Sequence, residues 1–487
     1  MAYNHNDQPT LHCQLERASW KNQLIAQIES AKPPKVLAIH GTWGSGKTSM
    51  LAQIYLHFGG DPERFQDFEQ NDKNDKAKDK QNKDFHPIWF EAWQYQHEEN
   101  ILAALLNEIR EQLSPMQKVW NASKKEAKAA LLATLQSIDL TMEQFSGIFG
   151  FKAFTKNFRA ERQKISQKRL EGPSHAKHLK EMLSEAIRQL LKIKSRRAKN
   201  QKALIIIDDL DRCEPETAFR ILEAIKIYLD LPNCIFLLGM DVKAMDQILV
   251  KHYAKLLSEN EDNEQLKNLS RLYLEKICQD VLHLPLPGSQ TRVAFFLSLL
   301  RQNNTATSEE KEIFTKIESI LSGEAENAHS LLPPFPRSIK MYANILLLHL
   351  EKKEILTYLK EHKEHQDKKK ATQRLLIITY LYTFHYELYQ LCYSYPDFYN
   401  RHFFPYCEDP KKHEETHGKH PVLSALILPE QPAGLGEAMG GKQSQEVRNR
   451  LLTNAYPHAN LRQVLWIRAL VVNTGRFTKG EIEELKL

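Results

Sequence analysis

Near the N-terminus the chain reads Gly41-Thr42-Trp43-Gly44-Ser45-Gly46-Lys47-Thr48-Ser49, a complete match to G-x-x-x-x-G-K-[ST]. The chemistry such a loop can do is anion holding. A triphosphate needs backbone N–H groups that point inward, a helix N-terminus that adds partial positive charge, and an ammonium that reaches the terminal phosphates. Gly41, Gly44 and Gly46 permit that backbone, and Lys47 supplies the ammonium. The Thr48 hydroxyl is placed to ligate Mg2+. The expected ligand of residues 41–49 is therefore ATP with Mg2+. The metal also needs a carboxylate at a strand end, and attack by water needs a second carboxylate or similar base beside it. Asp208 and Asp209 close an apolar run and fit these roles in order, Asp208 for the metal and Asp209 for the water, because adjacent residues leaving a strand aim to different sides.

The elements that must position these groups are legible from hydrophobic patterning. A helical pattern over 15–31 stops at Pro33-Pro34. Residues 35–40 read as a short buried strand feeding the glycine-rich loop, and 48–58 as the helix after it. Residues 86–93 read as a second strand and 98–113 as an amphipathic helix. The run Ala203-Leu-Ile-Ile-Ile207 has the character of a central parallel strand buried on both faces. Residues 234–239 repeat that pattern, and 281–286 do so more weakly. Strands that alternate with helical stretches predict an α/β fold: a three-layer P-loop NTPase core with a five-stranded parallel sheet, plus a helical insert at 114–202 and a helical C-terminal domain. The expected division is 1–350 for the nucleotide domain and 351–487 for the C-terminal domain, with 405–445 loop-rich.

Taken in order, several motifs resemble those of the KAP family of P-loop NTPases, a branch with one extra strand between the phosphate-binding strand and the carboxylate strand. Residues 41–49 are similar to the family's loop with its tryptophan. Trp89-Phe-Glu-Ala-Trp-Gln-Tyr95 followed by Glu98-Glu-Asn-Ile101 resembles its aromatic strand and helix start, although the family usually has Asn and Arg where this chain has Glu91 and Gln94. Ile207-Asp-Asp-Leu-Asp-Arg-Cys213 resembles the carboxylate motif, Gly239-Met-Asp241 the next strand end, and Phe335-Pro-Arg-Ser-Ile-Lys340 the late Pro-Arg motif. The resemblance covers about residues 7–350. It implies ATP hydrolysis coupled to conformational change or to assembly with itself or partner proteins, and in bacteria frequent service in anti-phage defence. Many members insert transmembrane helices before the carboxylate strand; the corresponding stretch here is basic, so membrane anchoring does not carry over.

Other residues have two readings each. Asp241 could orient the attacking water beside the γ-phosphate or cap the helix that follows. Arg337 and Lys340 lie three apart, on one helix face, and could reach the γ-phosphate in cis, act as an arginine finger on a neighbouring subunit, or form surface ion pairs. Arg212 is expected to partner Asp211. Tyr382, Tyr386, Tyr389 and Tyr393 form a stripe expected to pack in a core or interface. His413-Glu-Glu-Thr-His417 matches H-E-x-x-H, with His420 and Cys407 nearby. That motif needs a helix to put both imidazoles on one face. Pro410 before it, Gly418 and Pro421 after it, and the lack of an apolar anchor argue against one, so the match is expected to be fortuitous, with adventitious metal binding at most.

Bulk properties narrow the classes. The 487 residues are 42% apolar, enough for two or three cored domains at about 150 residues each. Six scattered cysteines without a C-x-x-C pair fit a reducing, cytoplasmic compartment. The polar first ten residues are not a signal peptide, and no apolar run approaches the roughly 20 residues of a membrane span. Net charge is +6, yet residues 152–202 alone hold sixteen Lys/Arg against four Glu. This basic stretch could bind nucleic acid by counterion release, which would make the chain a nucleic-acid-directed ATPase motor or sensor, or be a solvated helix face or a protein-docking surface.

Overall fold

The computed structural model describes residues 5, 8–13, 15–65, 84–97, 201–228, 233–256, 263–302, 308–325, 332–361, 365–418 and 420–424, with single positions at 104–112 and 471–485. The chain folds as two compact units, one of residues 9–12 and 18–284, the other of 1–8, 13–17 and 285–487.

The first unit runs α1 (Ala18–Ser30), β1 (Lys35–His40), α2 (Lys47–His57), β2 (Phe85–Glu91), β3 (Lys202–Asp208), α3 (Pro215–Tyr228), β4 (Cys234–Met240), α4 (Val242–Leu256), α5 (Asn263–Ile277) and β5 (Asp280–His283). The strands form one parallel sheet in the order β2-β3-β4-β1-β5. Every residue of β4, and all of β3 after Lys202, is buried. A strand covered on both faces has no solvent side to mark with polar residues, hence the unbroken apolar runs.

Alternate residues serve opposite faces. Val36, Ala38, Ile205 and Phe236 pack with Ile221, Met245, Leu249 and Leu274 of α3, α4 and α5. Leu37, Ile39, Leu204 and Ile206 pack with Ile28 of α1 and with Leu51 and Ile54 of α2. These are the three expected layers. Truncating one such leucine or isoleucine to alanine costs about 2–5 kcal/mol. Between β1 and the carboxylate strand β3 lies β4, paired to both. The β2 edge has a particular finish. Pro87 stands within the strand opposite Leu204, and the Gln112 side-chain amide both accepts from the Trp89 N–H at 2.7 Å and donates to the Trp89 carbonyl at 2.6 Å. The strand ends at Glu91, two residues before its expected limit, where Ala92–Tyr95 turns into a 3-10 helix.

The second unit is helical: α6 (Ser289–Arg301), α7 (Ser308–Ala325), α8 (Pro336–Leu350), α9 (Lys353–Glu361), α10 (His365–Phe384), α11 (Tyr386–Ser394), short turns over 396–408, and α12 (Pro410–His417). Phe296, Phe314, Tyr342, Leu346, Tyr358 and Tyr380 are among the residues of its core. Position 350, where a division is expected, lies inside this unit between α8 and α9, and one core runs through both helices; the two compact units part at 284/285 instead. Within the tyrosine stripe Tyr389 is buried, whereas Tyr386 and Tyr393 are exposed.

Helix α12 overturns the expectation of loop over this stretch. The Asp409 side chain accepts from the Lys412 N–H at 3.1 Å, Pro410 occupies the first helical position, and Gly418 ends the helix at φ 77°. Proline at the first turn and glycine just past the last are helix boundary signals, not breakers. Residues 114–200 of the expected insert and 425–445 of the expected loop lie outside the described residues, as does most of 98–113.

Candidate functional site

Gly44 and Gly46 have φ of 75° and 94°, a left-handed conformation in which a Cβ is strained and glycine is not. The Gly41 N–H donates to the Met240 carbonyl at 3.3 Å and the Ser45 N–H to the Thr42 carbonyl at 3.1 Å, so the loop is pinned to β4 at one end and folded on itself at the other. A Cβ on Gly41 would meet Ser45 Oγ at 2.6 Å. No side chain caps α2, which leaves its first N–H groups to an anion. Lys47 is buried, and its Nζ donates to the Gly41 carbonyl at 2.7 Å and to Asp211 Oδ2 at 3.4 Å. Trp43 is 68% exposed at the tip. Ser49 Oγ accepts from the Thr10 N–H at 3.0 Å.

Asp208, the last residue of β3, is 1% exposed. Burial first, and the Asp209 charge second, push its carboxyl well above the usual range; the Thr48 hydroxyl, the Asp209 N–H and Lys47 act in the opposite direction. Asp209 is also raised by burial, opposed chiefly by Arg212, whose guanidinium lies 3.0 Å from Asp209 Oδ1. Asp209 sits at φ 57°, an unusual conformation for a residue with a Cβ and one that clusters at functional sites. Gly239 on β4 is a necessary gap: a Cβ there would lie 2.8 Å from Asp208 Oδ1 and 2.5 Å from Leu51 Cδ1.

The loop and the paired acids are thus brought together. Two partners differ from expectation. Arg212 pairs with Asp209 rather than Asp211, because the left-handed turn at Asp209 swings its carboxylate toward the guanidinium. Asp211 faces Lys47 instead, a member of the site that sequence reasoning missed; its spacing from Asp208, one turn of the 3-10 helix Leu210–Arg212, was the available signal. Asp241 accepts from the Lys243 N–H at 3.0 Å, capping α4, and lies 3.8 Å from His40 Nδ1. Burial lowers the His40 pKa. Arg337 and Lys340 belong to the second unit, on the first turns of α8, where Lys340 Nζ donates to the Gln8 carbonyl at 3.4 Å.

The donor set suits a hard divalent cation. Neither Asp208 carboxylate oxygen, both buried, closes a hydrogen bond of good geometry among the described residues, and the neighbouring Thr48 hydroxyl is a neutral oxygen donor. Mg2+ takes such oxygens together with those of a nucleotide's phosphates.

A parallel sheet with a glycine-rich loop between its first strand and helix, faced by acids from an inner strand, defines a nucleotide-binding P-loop NTPase. The chain belongs to the KAP family: the model of the KAP family P-loop domain matches residues 17–372, from the lead into α1 through the first part of α10. No curated protein matches the chain. Among the described residues, no helix is long and apolar enough to cross a membrane.

Proposed function

We propose that the chain hydrolyses ATP at this site and uses the cycle to assemble with itself or with partner proteins. The observation that carries the reading is the meeting of Lys47, Thr48, Asp208 and Asp209 at one end of the sheet. In-line attack of water on the γ-phosphate breaks its bond to the β-phosphate bridging oxygen and yields ADP and phosphate. The Lys47 ammonium exchanges the Gly41 carbonyl and Asp211 for phosphate oxygens. Asp209 polarises the water and accepts its proton; burial makes this carboxylate the more basic, and Arg212 keeps it ionised enough to serve. Thr48 and Asp208 would hold Mg2+, which would supply positive charge for the phosphate oxygens. Asp241, just past the end of β4, senses the γ-phosphate.

The test is phosphate release and fluorescent-nucleotide binding by the purified chain and two variants. Lys47→Ala loses binding or turnover. Asp209→Ala keeps binding and loses turnover by about two orders of magnitude or more, the usual range for a proton acceptor. Wild-type turnover in both would end the assignment.

A further inference from the structure

Four histidines of the helical unit converge where residues 399–403 meet α12. His402 lies on the π-helical turn Tyr399–Phe403, and His413 and His417 stand one turn apart on α12. The His402 ring centroid is 5.6 Å from that of His413 and 5.3 Å from that of His417, and the latter two are 4.6 Å apart. His420, just past the helix end, lies against the Phe398 ring, as does His402, at 5.5 and 5.3 Å between ring centroids.

Ring packing alone does not account for the cluster. His413 is 4% exposed, and both of its ring nitrogens are buried with no hydrogen-bond partner among the described residues. A buried imidazole without a partner for either nitrogen forfeits its hydration. Of the described side chains of α12, His413 alone is buried, so the helix is held through an imidazole rather than an apolar face.

We propose that His402, His413, His417 and His420 bind one transition-metal ion of the Zn2+ class, clamping α12 to the Tyr399–Phe403 turn. Imidazole nitrogens at about 2.1 Å in a tetrahedral set keep ring centroids roughly 5 Å apart, the spacing found here. Among the described residues no three such side chains are disposed to hold a metal ion as they stand, so binding requires the rings to turn about their side-chain torsions. Nitrogen donors without a carboxylate select Zn2+, Co2+ or Ni2+ over Mg2+ or Ca2+. Four protein ligands leave no open position, so the site is structural, and Glu414 is no peptidase base despite the H-E-x-x-H pattern. Cys407 takes no part; it lies in the core beside Tyr399.

The test uses the full chain, purified without a histidine tag. Elemental analysis and competition with a chromophoric chelator should give one Zn2+ per chain. His417→Gln, at an exposed position, and the double variant His402→Asn/His420→Asn should each weaken Zn2+ at least a hundredfold. Zn2+ should raise the melting temperature of the wild type and of Asp208→Asn, but not of the histidine variants. Co2+ substitution should give the intense visible bands of a tetrahedral site, a readout that needs no variant. Equal Zn2+ affinity in wild type and histidine variants, or an octahedral Co2+ spectrum, overturns the proposal. Because Asp208→Asn disables the nucleotide site and spares the histidines, the two readings fail separately.

Discussion

Asp208→Asn removes one charge and almost no volume, and it should stabilise the protein while disabling it. Burial and the Asp209 charge raise the Asp208 carboxyl to about 7. At about 1.4 kcal/mol per tenfold change in acidity, holding the group ionised above that pH costs the fold up to about 4 kcal/mol. Thr48 and Lys47 return part of this through contacts the amide keeps less well, so the expected gain from the amide is ~1–3 kcal/mol. A carboxyl whose folded pKa lies above its unfolded value takes up a proton on folding. Its contribution is therefore fully present below pH ~4 and is lost as the pH climbs through about 7. Thermal melting of the nucleotide-free protein checks this directly. At pH 8 the variant should melt a few degrees above the wild type, at roughly 2–4 °C per kcal/mol, and the gap should narrow toward pH 5. Mg-ATP should raise the wild-type melting temperature and leave that of the variant unchanged. A variant less stable than the wild type at pH 8, or equally stabilised by Mg-ATP, would refute the reasoning.

Two further substitutions probe the same crevice. Asp211→Asn takes away the anion that faces Lys47 at 3.4 Å and should tighten nucleotide binding about threefold to tenfold, since a phosphate no longer competes with a buried carboxylate; calorimetric titration measures it, and weaker binding would show that Asp211 instead supports the bound state. Gly239→Ala drives a Cβ into Asp208 and Leu51 and should cost about 1–3 kcal/mol by overpacking, read by chemical denaturation, along with loss of Mg2+-dependent nucleotide binding.

The sheet was legible because its inner strands are apolar on both faces, and the loop because only glycines tolerate its backbone. At its margins the molecule departs from its sequence pattern for local reasons. Pro410 and Gly418 read in sequence as interruptions, yet they mark the first position and the far end of α12; what distinguishes the two uses is the Asp409 side chain on the Lys412 N–H, a bond between residues that composition alone does not connect. The partners of Arg212 and Lys47 likewise depend on the turn after β3, where Asp209 takes φ 57°, a left-handed conformation that aspartate adopts more readily than most residues but that spacing alone does not signal. The pairing of Gln112 with Trp89 joins residues with no shared periodicity. Convergence of His402 with α12 depends on the path of 403–409, so sequence spacing could offer His413, His417 and His420 as a group but not the fourth imidazole.

That amide on Trp89 has a consequence for how the molecule behaves in a crowd. An outermost strand presents unpaired backbone groups on which a foreign segment can dock and extend the ladder. Here Pro87 offers no donor, and two residues on, the Gln112 carboxamide imitates the next strand by occupying both the N–H and the C=O of Trp89. At Pro87 and Trp89 this edge thereby withholds backbone groups from β-augmentation and from the growth of aggregates.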